Sequence, residues 1–381
     1  MTDRGSLFSH QDTLAQLNDN SSLTDKLKII HQTLRLRLDF IERVAVAVYD
    51  AKSDVLRTFI HSSGDAQPLT NYQASLSSAT SLHEIIEVGR PRVVNDLSIF
   101  NDSEKTHSKQ IRAEGYGASY TMPMYRQGEF FGFIFFNASR SGVFNEENLH
   151  YLDLFGHLLS LSVIDELYQY NTLQAAIDTA RDITHHRDNE TGTHLDRMSR
   201  FARLIARELA PKHNFSDEFV EQIFRFAPLH DIGKIAIPDS ILLKKAQLDE
   251  HEFTVMKSHT LKGVEIIDEM LDHFGLNGLD HSEVLRNIAE YHHEKMNGMG
   301  YPRGLTGEEI PIEARIIAVA DIFDALTSRR PYKEAWSNED AYALLREMAG
   351  KQLDPDCVSV FLQQQGEIEE IQRIFHENTL G

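Results

Sequence analysis

The sequence places a histidine beside an aspartate, His230-Asp231, at the end of an apolar segment and directly before Ile232-Gly233-Lys234. An imidazole nitrogen next to a carboxylate oxygen suits a divalent metal such as iron, manganese or zinc. A single His-Asp pair is far more often structural than ligating, so a metal-site hypothesis needs further ligands elsewhere in the chain.

The other candidate ligands are histidines and carboxylates that lie on, or directly after, predicted helices: Glu190, His194, His259, His292, His293 and Asp321. Glu190 and His194 are four residues apart, so a helix through them would place both side chains on one face. A lone histidine on a helix is more often structural. Two adjacent histidines at the end of an apolar helix, together with the His-Asp pair, make metal ligation the better interpretation.

The composition is that of an ordinary globular protein and limits the classes of function. The chain has 381 residues, of which 41% are hydrophobic and 25% charged, and this length suits two domains. A net charge of −20 argues against a duplex nucleic-acid partner, which would need a basic face. The single cysteine, Cys357, excludes an internal disulfide and a thiolate metal cluster.

No apolar run approaches the ~20 residues that a membrane-spanning helix needs. The most apolar run, 130–136, is short and is typical of a buried strand. The first residues lack the charged-then-apolar pattern of a signal peptide. We therefore expect a cytoplasmic protein without membrane insertion.

The elements before residue 148 predict an α+β domain with an antiparallel sheet. The predicted order is a helix over 23–41, strands over 43–50 and 55–62, a helix over 81–88, a brief strand at 93–96 and a hairpin of 119–125 with 129–138. This order, with the segment 123–132 followed by Phe144-Asn145-Glu146-Glu147, resembles a GAF domain over residues 23–165. The resemblance implies either a sensor for an unknown ligand or a ligand-free dimerisation module.

The stretch 148–188 is almost unbroken by glycine or proline and predicts one long helix that links two domains. Its apolar residues recur every three or four positions: Leu149, Leu152, Phe155, Leu159, Val163, Leu167, Tyr170, Leu173 and Ile177. This stripe favours a seam with the same helix of a second chain, in a homodimer. The alternative is that the stripe packs on its own domains.

From residue 189 onward the pattern predicts a helical bundle without strands. Helices are predicted over 194–210, 217–229, 250–273, 281–294, 312–328 and 337–349. The predicted fold class is therefore an N-terminal α+β domain, a linker helix and a C-terminal all-α domain. The predicted boundaries are 1–22 for a flexible N-terminus, 23–165 for the first domain, 148–188 for the linker helix and 172–381 for the bundle.

Three segments of this bundle resemble the HD-GYP subfamily of the HD phosphohydrolases. The segment 230–235 is similar to the HD motif, 292–307 to the GYP signature, and 319–328 with Arg330-Pro331-Tyr332-Lys333 to a third block. The resemblance covers about residues 172–350. One departure is Asn297, where the family usually has aspartate. The resemblance implies a phosphodiesterase that acts on cyclic dinucleotides, chiefly cyclic di-GMP.

Carried over residue by residue, the resemblance implies metal ligands at His194, His230, Asp231, His259, His292, His293 and Asp321. Asp231 would bridge two ions, and Glu190 matches the position that supports a third ion in some members. We therefore expect two or three divalent ions, with iron and manganese the usual metals of the family. Metal ions held as a pair can activate water and orient a phosphate for in-line attack.

Further residues of the motifs suit catalysis and substrate binding. Lys234 is one helical turn from the histidine of the HD motif, so its ammonium could neutralise developing charge or assist the leaving oxygen. Gly300 allows close backbone approach, and Tyr301 offers a ring on which a guanine could stack. Arg330 and Lys333 suit the phosphates and the guanine edge. Lys234 could instead be a surface lysine, and Tyr301 a packing residue.

The leading hypothesis is a cyclic di-GMP phosphodiesterase that uses Asp231 and Lys234 in catalysis, forms pGpG or GMP, and is regulated by the GAF-like domain. One alternative keeps the metals and changes the substrate to cyclic GMP-AMP. The other is a signalling adaptor that binds nucleotide and turns over little. An adaptor should have lost ligands, whereas every expected ligand is present here.

Overall fold

The computed structural model describes residues 10, 12–19, 21–63, 73–100, 115–183, 192–274, 276, 282–328 and 335–376, without the side chains at 100, 173, 174 and 176–183. The chain divides into two compact units, Met1–Glu166 and Leu167–Gly381. Within the described ranges, every helix is too short or too polar to cross a bilayer.

A six-stranded antiparallel sheet forms the centre of the first unit, which confirms the predicted α+β class. Its strands are β1 (Ile41–Asp50), β2 (Val55–Ser63), β3 (Gln73–Ser75), β4 (Arg92–Val94), β5 (Ala118–Arg126) and β6 (Glu129–Ala138), in the spatial order β3-β2-β1-β6-β5-β4. The β5–β6 hairpin turns at Gln127 and Gly128, which both have positive φ, as a two-residue hairpin loop favours. Of these strands only β3 was not predicted, because its residues, Gln73-Ala74-Ser75, are polar or small and show no apolar alternation.

Two short helices, α1 (Leu23–Arg35) and α2 (Thr80–Val88), pack on this sheet. Ser22 caps α1, since its Oγ accepts a hydrogen bond from the backbone N–H of Asp25 at 3.0 Å. Leu82 and Ile85 of α2 lie in one apolar cluster with Phe133 of β6.

The long helix α3 (Glu146–Ile183) approaches β5 at Gly156. A Cβ added there would lie 2.5 Å from the Met122 Sδ, so a larger residue would require the flexible Met122 side chain to shift. Leu152, Leu159 and Val163 are fully buried in the single chain. For these positions the predicted seam with a second chain is wrong, because the stripe packs on its own domain. The side chains of Leu173 and Ile177 lie outside the described residues.

The second unit is a helical bundle in the part of the chain that the structure describes, as predicted. Its helices are α4 (Gly192–His213), α5 (Asp217–Phe226), α6 (Asp239–Leu242), α7 (Glu250–Lys257), α8 (His259–His273), α9 (Ser282–Tyr291), α10 (Ile312–Thr327), α11 (Asn338–Met348), α12 (Pro355–Leu362) and α13 (Gln365–Ile374). Phe201 of α4 is fully buried, with its ring 5.3 Å from that of Phe323 and 5.6 Å from that of Phe361.

Two features of this bundle differ from the prediction. The helix predicted over 250–273 is two helices, since α7 ends at Lys257 and α8 begins at His259, with Ser258 between them. The second feature is three helices that were not predicted: α6, which lies between two predicted helices, and α12 and α13, which lie beyond the last one. The break at Ser258 has a consequence for the site, since it makes His259 the first residue of α8.

Candidate metal centre

The structure brings together the predicted ligands that lie within the described residues, in two neighbouring groups. One group is Asp231, His259, His292 and His293, and the other is His194, His230 and Asp321; within each group the ligand atoms lie within 4.8 Å of one another. Nitrogen and oxygen donors of this kind suit iron and manganese. Glu190 lies outside the described residues, so a third ion stays a prediction.

The His-Asp pair lies between two short 3₁₀ turns that follow α5, Ala227–Leu229 and Ile232–Ala236. The second turn passes against the first residues of α8. A Cβ added at Gly233 would lie 1.8 Å from the backbone oxygen of His259 and 2.5 Å from the backbone nitrogen of Gly263. Gly233 is therefore what allows the His-Asp turn and His259 to approach one another.

The Asp231 carboxylate faces both groups. Its Oδ1 lies 3.1 Å from the Nε2 of His259 and 3.5 Å from the Nε2 of His292. Its Oδ2 lies 3.2 Å from the Nε2 of His230 and 2.7 Å from the Nζ of Lys234. Burial opposes ionisation of this carboxyl, but the positive charge of Lys234 holds its pKa well below the usual range. An ionised carboxylate between two imidazole groups has the position that a bridging ligand needs.

Three of the candidate histidines are oriented by backbone carbonyl oxygens. The ring Nδ1 faces a carbonyl of the preceding turn in each case: His230 with Ala227 at 2.9 Å, His259 with Met256 at 2.8 Å and His292 with Ile288 at 3.0 Å. A carbonyl oxygen only accepts, so the proton is placed on Nδ1 and the Nε2 lone pair points into the site. Metal-binding histidines are typically held in this way.

The inward nitrogens are also close enough to share a cation. The Nε2 atoms of His259 and His292 lie 3.4 Å apart, and two lone pairs at this distance repel one another unless a positive charge lies between them. Burial lowers the pKa of His292. Burial takes the pKa of His293 well below its usual value. These residues therefore fit a bound metal, since neutral imidazoles are the form that ligates.

A buried carboxylate that the sequence analysis did not assign supports His194. Asp324 of α10 is fully buried, and its Oδ2 accepts a hydrogen bond from the His194 Nδ1 at 2.6 Å. The same carboxylate accepts bonds from Arg197 Nε at 2.6 Å and Nη2 at 2.9 Å. Burial opposes its ionisation, but the hydrogen bonds from His194 and Arg197 lower the pKa of Asp324. The available signal was spacing, since Asp324 follows the candidate ligand Asp321 by one helical turn.

The loop after His293 is held by another carboxylate that was not predicted. Glu294 is buried, and it accepts hydrogen bonds from the backbone N–H groups of residues 303, 304 and 305 at 2.6, 3.0 and 3.0 Å. Gly300 lies against the start of this loop, where an added Cβ would be 2.4 Å from the Lys295 nitrogen. The Oδ1 of Asn297 accepts a bond from the Met299 N–H at 3.0 Å. An amide oxygen accepts this hydrogen bond as a carboxylate oxygen would, so asparagine at this position keeps the turn.

Tyr301, at the end of this loop, lies beside the metal-binding group. Its ring is 4.7 Å from that of His293 and 6.3 Å from that of His259, and its N–H donates to the His293 carbonyl at 3.2 Å. Burial, and then the charge of Asp231, raises the pKa of Tyr301. The other two predicted substrate-binding residues, Arg330 and Lys333, lie outside the described residues.

Comparison with known protein families supports both domains. A GAF domain model matches residues 22–163, and an HD domain model matches residues 186–357. The chain therefore carries a GAF domain followed by an HD domain, which confirms that part of the sequence-based prediction.

Curated relatives extend the likeness to named enzymes. The cyclic di-GMP phosphodiesterase response regulator RpfG of Xanthomonas campestris pv. campestris is 47% identical over 186 residues, which cover 49% of this chain and 46% of that protein. A cyclic di-GMP phosphodiesterase of Thermotoga maritima is 42% identical over 50% of this chain and 49% of its own. The 3'3'-cGAMP-specific phosphodiesterase 2 of Vibrio cholerae is 33% identical over 61% of this chain and 45% of its own. The chain thus matches just under half the length of these relatives.

Proposed function

We propose that this protein is a metal-dependent phosphodiesterase that hydrolyses cyclic di-GMP to a linear product, pGpG or GMP. The observation that carries the proposal is the buried Asp231 carboxylate, whose two oxygens face two separate groups of inward-pointing imidazoles. The names of the relatives, most of which are cyclic di-GMP phosphodiesterases, support the choice of substrate.

The proposed chemistry divides between the metals and the chain. Two divalent ions, iron or manganese, held by the two groups of ligands would lower the pKa of water and polarise the phosphate oxygens, and Glu190 would support a third. Lys234, 2.7 Å from Asp231, keeps that carboxylate ionised and places a positive charge where charge develops on the leaving oxygen. Asp324 fixes the orientation of His194, and Tyr301 offers a ring beside His293 for a guanine base.

The two alternatives make different demands on the site. Hydrolysis of cyclic GMP-AMP would use the same ligands, and the likeness to the Vibrio cholerae 3'3'-cGAMP-specific enzyme favours keeping it as the second candidate. A nucleotide-binding adaptor with little turnover would not need the ligands to converge. Within the described residues the candidate ligands converge, and backbone carbonyl oxygens orient three of the histidines through Nδ1. This arrangement supports an enzyme.

Replacing Asp231 by alanine tests the proposal. We expect hydrolysis of cyclic di-GMP to fall by about a hundredfold or more, because both imidazole groups lose their shared carboxylate. Asp268→Ala is the control, since Asp268 is exposed and its contact is a surface ion pair with Arg286 at 2.6 Å. Product is measured by chromatography and bound metal by elemental analysis. Unchanged turnover of Asp231→Ala would refute the metal mechanism, and a metal-loaded wild type that hydrolyses neither dinucleotide would favour the adaptor.

We also propose that the GAF domain, with a ligand still unknown, regulates this activity in a homodimer. One continuous helix, α3, contributes residues to both units. On the face opposite its buried stripe, Leu154, Leu161 and Tyr168 are spaced seven residues apart and are 69%, 65% and 50% exposed. That spacing suits a seam with a second copy. Leu161→Glu should dissociate the dimer in sedimentation velocity runs, whereas Leu36→Glu, at an exposed leucine directly after α1, should not. A monomeric wild type would contradict this.

A further inference from the structure

Helix α7 (Glu250–Lys257) contributes none of the predicted ligands and yet lies beside the site. Its first turn is fixed by Asp249 and Glu252, which accept hydrogen bonds from each other's backbone N–H at 2.8 Å. Its last residue, Lys257, precedes His259 by two positions. Phe253 lies one helical turn before Lys257, so the two side chains share a face of the helix.

These two side chains and Tyr301 form an aromatic corner, by which we mean Phe253, Lys257 and Tyr301. The Phe253 and Tyr301 ring centroids are 6.5 Å apart, and the ring planes meet at 79°. The Nζ of Lys257 lies 4.7 Å from the Phe253 centroid and 5.5 Å from the Tyr301 centroid. Both distances are within the range of cation–π attraction, so the ammonium is held between the two rings.

The corner opens both to solvent and to the metal-binding group. Phe253 is 45% exposed. On the other side, Tyr301 stands 4.7 Å from the ring of His293 and 6.3 Å from that of His259. If the phosphate of a bound molecule lies at the metal-binding residues, the chemical group attached to that phosphate therefore lies beside two aromatic rings and one ammonium.

A purine base fits this combination of groups. Aromatic rings of proteins stack on the faces of bases. A lysine ammonium is a donor only, and guanine offers two acceptors on one edge, O6 and N7. Adenine presents an amino group in place of O6, so a second donor there would meet the ammonium. The corner thus has the parts needed to bind a base and to distinguish guanine from adenine.

We propose that the corner of Phe253, Lys257 and Tyr301 binds the base next to the scissile phosphate, and that Lys257 selects guanine over adenine. The proposal rests on the proposed function and deepens it, since it names residues that set substrate preference. The competing explanation is that Lys257 only stabilises the C-terminal end of α7 through the helix dipole.

Two variants with matched controls test it in the full-length protein. Lys257→Met keeps the apolar stem and removes the charge, and Phe253→Ala removes the exposed ring. Phe274→Ala is the control for the ring, because Phe274 is 46% exposed and lies at the far end of α8, about 22 Å from its first residue. Lys212→Met is the control for the charge, since Lys212 pairs with Asp356 on the surface.

The first readout is the ratio of kcat/KM for cyclic di-GMP to that for cyclic di-AMP. We expect Lys257→Met to lower kcat/KM for cyclic di-GMP about ten- to a hundredfold, as loss of a charged hydrogen bond does, with a smaller change for cyclic di-AMP. Phe253→Ala should lower kcat/KM for both substrates about equally, because stacking on a ring does not depend on which groups lie at the edge of the base. An unchanged ratio in Lys257→Met would overturn the selection role.

The second readout is calorimetric binding of GMP and AMP, which needs no turnover. We expect the wild type to bind GMP more tightly than AMP, and Lys257→Met to lose the difference. If the wild type hydrolyses no cyclic dinucleotide but prefers GMP, and Lys257→Met loses that preference, the guanine-binding role of the corner is supported and the proposed function is refuted. Equal binding of GMP and AMP by the wild type would refute the guanine assignment.

Discussion

Asp324 accepts a hydrogen bond from His194, and we predict that this bond orients the histidine for metal binding. In Asp324→Asn one carboxylate oxygen becomes an amino group. That group would face a donor whichever way the amide turns, either the His194 Nδ1 or the Nε of Arg197, which lie at 2.6 Å. The substitution also leaves the buried guanidinium of Arg197 without this negative charge.

Two separate losses follow from this geometry. Removing one partner of a buried ion pair lowers the free energy of unfolding by about 3–5 kcal/mol. Loss of the group that orients a histidine ligand lowers metal affinity about ten- to a hundredfold. We therefore expect Asp324→Asn to be less stable and, in its folded form, to bind metal more weakly.

Asp354→Asn separates the two effects. Asp354 is buried and accepts a hydrogen bond from Arg315 at 2.6 Å, but it caps α12, and its hydrogen bonds within the described residues go to no candidate ligand. Urea unfolding measures stability, and competition with a chelator measures metal affinity below the unfolding range. Asp354→Asn should lose stability and keep metal affinity. If Asp324→Asn binds metal within about twofold of the wild type, or if both variants lose metal equally, the orienting role of Asp324 is refuted.

Three further predictions concern the loop, the His-Asp turn and the GAF domain. Glu294→Gln should cost about 1–3 kcal/mol in urea unfolding, because its amino group meets a backbone donor of the loop; an unchanged midpoint would contradict this. Gly233→Ala should abolish metal binding in elemental analysis, since its Cβ would clash with a backbone oxygen of α8, whereas Gly366→Ala, with open space around it, should bind normally. Burial and the charge of Arg43 lower the pKa of His61 from 6.5 to about 4, so the unfolded state binds the proton first as pH falls. The free energy of unfolding should therefore drop by up to about 3 kcal/mol between about pH 6.5 and 4, and a His61→Gln variant with the same pH dependence would refute this.

The predicted ligands could be found from the sequence because their residue types carry the signal. An adjacent His230-Asp231 and an adjacent His292-His293 at the ends of apolar helices are hard to explain by packing alone. Asp324 and Glu294 were missed for the opposite reason. Their partners are a histidine 130 residues away and backbone N–H groups. The spacing of Asp324 from Asp321 places it one helical turn from a candidate ligand, but no sequence pattern shows partners of these kinds.

Periodicity likewise predicted which face of a helix is buried but not what buries it. The stripe through Leu152 and Val163 is fully buried within the single chain, and the same spacing would arise against a second chain. The break between α7 and α8 was missed because apolar residues keep their helical spacing across Ser258. That residue still bonds back to the preceding turn, with its Oγ donating to the Val255 carbonyl at 2.6 Å.

We propose that the two groups of ligands joined by Asp231 make this chain a metal-dependent cyclic dinucleotide phosphodiesterase. The most direct measurement is turnover of cyclic di-GMP by protein whose metal content has been determined, before and after removal of the metal by a chelator. We expect at least two ions per chain, a linear product, and loss of activity on chelation that added iron or manganese restores. Turnover that survives complete removal of the metal, or a fully loaded protein that hydrolyses neither cyclic di-GMP nor cyclic GMP-AMP, would contradict the claim.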